Sequence, residues 1–188
     1  SARLPVLYLL HGLGGHERDW QALGHIAQTA TRLIRQNAIP PMAIVMPDGA
    51  NSWYVNSEKH GLYEDALLED LIFPDLETAE DVSRQQIGFF KGVFGEPFDV
   101  AEFNRQNFFS DIPSLVAIDE RPAIWITVGD DDGFGLYEGN IALYQALKQA
   151  DIPVEFRMTD GNHTWRLWRA EIENVLRYYG RVLTTGTE

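Results

Sequence analysis

The stretch Leu4-Pro-Val-Leu-Tyr-Leu-Leu10, followed by His11-Gly-Leu-Gly-Gly15, decides the fold of this chain. A continuous apolar run of this length is typical of a strand that is buried on both faces, as in a parallel sheet. The glycine-rich turn after it allows backbone N–H groups to approach a ligand closely. Two interpretations of the turn are open at this point, a plain tight turn or one half of an oxyanion hole.

The same alternation of strand and helix repeats along the chain. Three more buried strands are predicted, over residues 42–46, 122–128 and 153–158, and four main helices, over residues 19–37, 62–76, 137–150 and 164–179. Short helices are predicted over residues 79–95 and 100–115, within a lid or connecting region over residues 79–121. Alternating elements indicate a parallel sheet covered on both faces, and 188 residues suit a single domain over residues 1–188. Chemistry is expected where the strands end, because ligands bind at the carboxyl ends of such strands.

Composition excludes several classes of function. The net charge of −13 argues against a nucleic acid partner, which requires a basic face. Because cysteine is absent, disulfides, thiolate metal sites and cysteine nucleophiles are excluded. No run approaches the roughly 20 apolar residues that span a bilayer, so no membrane association is expected. The first residues also lack the basic flank and long apolar core of a signal peptide.

Two loops that follow predicted strands carry candidate catalytic groups. The first is Gly129-Asp-Asp-Asp-Gly133, which is open to three interpretations: a solvated acidic loop, a calcium site, or a loop whose aspartate orients a histidine. The second is Gly161-Asn-His-Thr-Trp165, in which His163 is either an incidental residue of a helix-capping loop or a general base. The acidic loop precedes the histidine loop, as the acid precedes the histidine in α/β-hydrolases.

Taken together, these motifs resemble the esterase D family of α/β-hydrolases, which includes feruloyl and acetyl esterases. The matching segments are residues 7–15, 46–49, 52–54, 63–65, 129–132, Asn140, and 161–165 with Trp168. The resemblance implies a three-layer α/β-hydrolase sandwich with a mostly parallel central sheet. It also implies hydrolysis of a small-molecule carboxylic ester by serine acyl-enzyme chemistry, for which neither a cofactor nor a metal is needed.

The resemblance also implies roles for individual residues. Leu13 would donate its backbone N–H to the oxyanion, and His163 would be the general base. Asp132 would be the acid of the triad, with Asp131 as the alternative. The aromatic pair Trp53-Tyr54 would line the mouth of the substrate cleft, or alternatively pack within its own loop. Within the family, the chain most resembles the feruloyl and acetyl esterases.

The nucleophilic serine of the family is not among these residues. Its motif is Gly-x-Ser-x-Gly, on a sharp turn between a strand and a helix, and none of the six serines has glycine at both −2 and +2. The family would place two strands and a helix, roughly 35 to 45 residues, near residues 78–81. Their loss would open a gap of about 10 to 15 Å in the sheet and orphan backbone groups on both edges.

We therefore expect the natural molecule to contain this segment, and also strands ahead of Leu4. Two alternatives stay open on the sequence alone. One is a catalytically inactive α/β-hydrolase remnant that serves as a binding or interaction module. The other is an enzyme that uses another nucleophile, or a water molecule activated by His163.

Overall fold

The computed structural model describes residues 4–12, 14–50, 56–57, 61–62, 76, 90, 92–119 and 121–185. The chain divides into two compact units. The first unit combines Ser1–Ala50 with His163–Glu188, and the second is Asn51–Asn162. Parallel strand pairs and helices occur in both the N-terminal and the C-terminal half of the chain, so the predicted α/β class is confirmed.

The first unit contains one parallel strand pair and three helices. The strands are β1 (Val6–Tyr8) and β2 (Ala43–Val45), which pair in parallel. The helices are α1 (Asp19–Ala22), α2 (Ile26–Arg35) and α6 (Trp165–Thr185). Its core lies where α2 packs against α6, and Leu33 and Leu176 are fully buried there. The predicted strands and last helix are confirmed, although both strands are shorter than their apolar runs.

The predicted single helix over residues 19–37 is wrong, because it is broken between α1 and α2. A Cβ atom on Gly24 would lie 2.6 Å from Cε3 of Trp20, so the chain bends over the indole ring only because this residue is glycine. The next residue, His25, adopts the left-handed conformation with φ 55° and cannot continue α1. The apolar residues keep their helical spacing across the break, so the sequence pattern gives no sign of it.

In the second unit, a strand–helix–strand segment forms the larger core. Strand β5 (Ile124–Gly129) pairs in parallel with β6 (Val154–Thr159), and α5 (Leu136–Gln149) connects them. One face of the pair packs against α5, where Leu143 and Leu147 are buried. The three predictions for this segment are confirmed to within two residues, because long apolar runs and flanking turn residues define each element.

The rest of the second unit contains α3 (Val100–Arg105), α4 (Phe108–Ala117) and the antiparallel pair β3 (Asn56–Ser57) with β4 (Gly61–Leu62). The prediction of short helices between residues 100 and 115 is confirmed. Leu62 lies in β4, so the prediction of a helix that begins at this residue is wrong. Most of the remaining predicted helix over residues 62–76 lies outside the described residues. The region near residues 78–81 also lies outside them.

A helix was also expected to reach Gly95, but the described residues between 90 and 98 form turns. Their aromatic rings instead form a small core of their own, in which neighbouring ring centroids lie 5.1 to 6.4 Å apart; the members are Phe90, Phe94, Phe98 and Phe103. Asp99 caps the following helix α3 by accepting the backbone N–H groups of Ala101 and Glu102. Among the described residues, no helix combines the length and the apolar character needed to cross a membrane.

An ion-pair network links two helices of the first unit and generates a pH prediction. The Glu173 carboxylate on α6 accepts hydrogen bonds from Arg32 on α2 and from Arg177 one turn further along α6, and these arginines lower the pKa of Glu173. A lowered pKa in the folded state stabilises the protein above the unfolded pKa, and this stabilisation is lost as the pH falls through the folded value.

We expect Glu173→Gln to lower the free energy of unfolding at pH 7 by about 0.3 to 1 kcal/mol, the range for largely exposed pairs. The difference from the wild type should begin to shrink below the ordinary glutamate pKa of 4.5 and vanish at lower pH. Urea denaturation at several pH values measures it, with Asp119→Asn, an exposed carboxylate, as the control. A difference that is the same at pH 7 and pH 3 would contradict the network.

Candidate functional site

In the first unit, the side chain of His11 links the ends of two strands. Its Nδ1 lies 2.8 Å from the carbonyl oxygen of Gly12, and its Nε2 accepts the backbone N–H of Gly49 at 3.0 Å. A carbonyl oxygen can only accept and an N–H can only donate, so both bonds require the neutral tautomer with its proton on Nδ1. The buried ring therefore holds the glycine turn after β1 against the loop after β2.

Asp48 lies beside the His11 ring and is held by its own backbone hydrogen bond. Its Oδ1 accepts the backbone N–H of Ala50 at 2.9 Å and lies 3.3 Å from Nε2 of His11. The backbone N–H of Ala50 is the largest cause that lowers the pKa of the Asp48 carboxyl group. Sequence reasoning gave neither side chain a role, although His11 directly follows one predicted strand and Asp48 is the second residue after another. Leu13, the predicted oxyanion donor, and the pair Trp53-Tyr54 lie outside the described residues.

In the second unit, the three aspartates of the acidic loop after β5 differ in burial. Asp132 is buried, with 6% of its surface exposed, and its Oδ1 accepts the backbone N–H of Phe134 at 2.9 Å. Asp130 and Asp131 are exposed. A buried carboxylate held by a local hydrogen bond has a defined orientation, as the acid that orients a catalytic histidine requires. Burial therefore favours Asp132 over Asp131 as this acid.

The aspartates that lie close together are not the three consecutive ones. Carboxylate oxygens of Asp130, Asp131 and Asp160 lie within 4.8 Å of one another, and all three residues are exposed. Asp130 also accepts the backbone N–H of Gly161 at 3.0 Å. Asp132 is outside this group, so the calcium hypothesis for residues 130–132 does not match the geometry of the described residues.

The loops after β5 and β6 are tied together by backbone contacts. A Cβ atom on Gly129 would lie 2.2 Å from the carbonyl oxygen of Gly161, so the two chains touch where no side chain fits. The same carbonyl accepts the N–H of Asp131 at 3.0 Å, and Oδ1 of Asn162 accepts the N–H of Gly133 at 3.2 Å. The residue after Asp132 is thus bonded to the residue that precedes His163 in the sequence.

His163 lies in the first unit, immediately before α6. Its half-exposed ring stands perpendicular to the indole of Trp168, at 89°, with 4.8 Å between the ring centroids. Asp132 belongs to the second unit, and therefore the pairing of these two residues in a triad stays a prediction.

The serines in the described part of the chain do not resemble a nucleophile elbow. The Ser110 hydroxyl donates to the carbonyl oxygen of Asn107 at 2.7 Å, inside the first turn of α4. Ser114 is an exposed residue of the same helix, and Ser57 lies in the short strand β3. None of these three occupies a sharp turn between a strand and a helix, so the structure provides no replacement for the missing motif among the described serines.

The Gly129–Gly161 contact generates a stability prediction. Gly129→Ala forces its new methyl group into the backbone of the neighbouring loop, and we expect it to lower the free energy of unfolding by about 1 to 3 kcal/mol. Gly133→Ala is the matched control, since its methyl group would meet only Oδ1 of Asn162 at an ordinary 3.6 Å. Chemical denaturation of both variants measures the difference. Equal stability of the two variants would show that the loops separate without cost.

The His11 contact generates a second prediction. His11→Asn can still donate to the carbonyl oxygen of Gly12 but cannot reach the N–H of Gly49, so we expect a loss of about 1 to 3 kcal/mol. His11→Gln places a carbonyl oxygen nearer the position of Nε2 and should lose less. Thermal or urea unfolding of the two variants tests the order. A greater loss for the glutamine variant would contradict the inferred hydrogen bonds.

Comparison with known proteins agrees with this fold. Residues 1–72 match the family described as "Putative esterase". An acetyl esterase from Caldicellulosiruptor saccharolyticus is 22% identical, with 97% of this chain and 85% of the relative aligned. A solved ferulic acid esterase superposes with a TM-score of 0.66 at 22% identity, covering 96% of this chain and 86% of that chain. An S-formylglutathione hydrolase from Staphylococcus aureus gives 0.65 at 16% identity, covering 95% and 85%.

The alignment with the acetyl esterase is longer than the chain. It spans 236 positions against 188 residues, so at least 48 positions of the alignment have no counterpart in this chain. This difference agrees with the expected loss of a segment of two strands and a helix. The sequence match over residues 1–72 and the shared architecture show that the chain is similar to esterases and has the α/β-hydrolase fold.

Proposed function

We propose that this protein hydrolyses small carboxylic esters, with His163 as the general base and Asp132 as the acid that orients it. One observation carries the proposal: the loops after β5 and β6 are tied by the Gly129–Gly161 contact and the Asn162–Gly133 hydrogen bond. The loop of a buried aspartate is therefore fixed to the residue that precedes the histidine. The names of the relatives, an acetyl esterase and a ferulic acid esterase, support an ester as the substrate.

The proposed reaction is acyl transfer to water in two steps. A serine hydroxyl attacks the ester carbonyl carbon while His163 accepts its proton, and the carbonyl oxygen becomes an oxyanion. The N–H of Leu13, with the N–H of the residue after the serine, stabilises this oxyanion. Collapse breaks the bond to the alcohol, which takes the proton from His163. Water then attacks the acyl-enzyme by the same route and releases the carboxylic acid.

The serine would come from a segment that these 188 residues lack. Intact mass spectrometry of the protein isolated from its natural source tests this part of the proposal. A mass several kilodaltons above 21.3 kDa is expected, and peptide mapping should place a Gly-x-Ser-x-Gly sequence in the additional residues. A mass of 21.3 kDa would contradict the serine mechanism, because no serine in the chain has glycines at both flanking positions.

The roles of His163 and Asp132 are tested by activity on p-nitrophenyl acetate. His163→Ala should lower kcat/KM by a factor of about 10³ or more, because the nucleophile loses its base. Asp132→Asn should cause a large loss, and Asp131→Asn little, since only Asp132 is buried. His25→Asn is the matched control: His25 is exposed and left-handed, a conformation that asparagine tolerates. Near wild-type activity of His163→Ala would end the assignment.

A second candidate function is a catalytically inactive binding module, and the absence of a Gly-x-Ser-x-Gly sequence is the observation in its favour. A fluorophosphonate probe separates the two, because it labels an activated serine covalently. Labelling that is lost in His163→Ala supports the esterase. The module hypothesis instead expects no labelling and no turnover with any short acyl ester, while the folded protein keeps its thermal stability.

A further inference from the structure

A row of aromatic rings in the first unit runs from the end of β1 to His163. The His163 ring is perpendicular to Trp168, and Trp168 is perpendicular to Trp165, at 89° and 5.1 Å between centroids. Trp165 in turn meets Trp20 at 84° and 5.1 Å. The indole N–H of Trp20 donates to the carbonyl oxygen of Leu10 at 2.6 Å, one residue before the His11 turn. We call these three tryptophans the tryptophan row.

We propose that the tryptophan row positions the imidazole of His163 relative to the strand end that precedes the glycine turn. A histidine in a loop can rotate about two side-chain bonds, whereas a general base must hold its nitrogen within hydrogen-bond reach of the proton it accepts. Perpendicular aromatic pairs have a preferred geometry because the positive edge of one ring faces the negative face of the other. Trp168 thus restricts the rotation of the His163 ring.

The rest of the row fixes Trp168 itself. Trp165 and Trp168 lie three residues apart on α6, so the helix sets their spacing. Trp20 is anchored through its indole N–H to Leu10, two residues beyond β1, and the neighbouring Leu9 donates its N–H to the carbonyl oxygen of Val45 in β2 at 2.9 Å. The His163 ring and the strand end before the glycine turn are consequently connected through ring contacts and one hydrogen bond within one unit of the fold.

This proposal rests on the proposed role of His163 as a base, but its first test does not require activity. The imidazole resonances of His163, one of five histidines, can be assigned in 13C-histidine-labelled protein by comparison with His163→Gln. Trp168→Leu should move these resonances towards the values of a freely rotating histidine, because the ring current of the indole is lost. Trp168→Phe keeps an aromatic ring and should restore part of the shift.

Trp20→Leu is the decisive variant, since Trp20 is three ring contacts away from His163, with Trp165 and Trp168 between them. If the row acts as a unit, its removal should also shift the His163 resonances. Trp125→Leu, the same substitution on β5 and outside the row, is the control and should leave them in place. Unchanged His163 resonances in Trp20→Leu would overturn the proposal, whatever the effect of the substitution on stability.

Kinetics of the complete, active protein give a second readout. Trp168→Leu should lower kcat for p-nitrophenyl acetate by about ten- to a hundredfold with little change in KM, since misplacement of a base affects the chemical step. Trp168→Phe should recover part of this loss. A rise in KM with no change in kcat would overturn the positioning role. If His163→Ala retains activity, the proposed function fails, while the resonance test still decides whether the row orients the ring.

Discussion

The close approach of two backbones at Gly129 and Gly161 is the constraint on which the second unit depends. In a parallel pair both strands end at the same edge of the sheet, so the loops after them must share a narrow space. The Gly161 carbonyl reaches a point only 2.2 Å from where a Cβ atom of residue 129 would stand. Because that atom is missing, Gly161 can accept the N–H of Asp131, the residue before the buried Asp132.

In the first unit, a side chain rather than a backbone contact connects the loops after the two strands. Its strands β1 and β2 also end side by side, but there the neutral ring of His11 fills the space and satisfies donors and acceptors of both loops. A buried polar group costs little when both of its nitrogens are bonded, and it then fixes the geometry more strictly than an apolar contact. Hydrogen bonds thus connect the loops at the ends of both strand pairs.

The regular elements of this fold could be predicted because their signals are local. The apolar runs and turn residues around β5, α5 and β6 define each element without reference to the remainder of the chain. Predictions were wrong where a tertiary contact determines whether a helix continues or ends. The break at Gly24 depends on the indole of Trp20, and the aromatic residues around Phe94 pack with Phe103 instead of extending a helix. At the candidate site, the residues alone offer three adjacent aspartates; the family resemblance selects Asp132, and its burial agrees with that choice.

The strand pairs also bear on the missing nucleophile. A parallel sheet is normally buried on both faces, and a pair of strands alone is marginal. Yet alternate residues of β1 remain open to solvent on one face, with 51% of Val6 and 57% of Tyr8 exposed. The neighbouring strand β2 adds the exposed Val45 to this apolar row. An inactive remnant in this arrangement would keep that row in water, whereas additional strands and a helix would cover it. The exposed face of β1 and β2 therefore favours a molecule that includes the nucleophile segment.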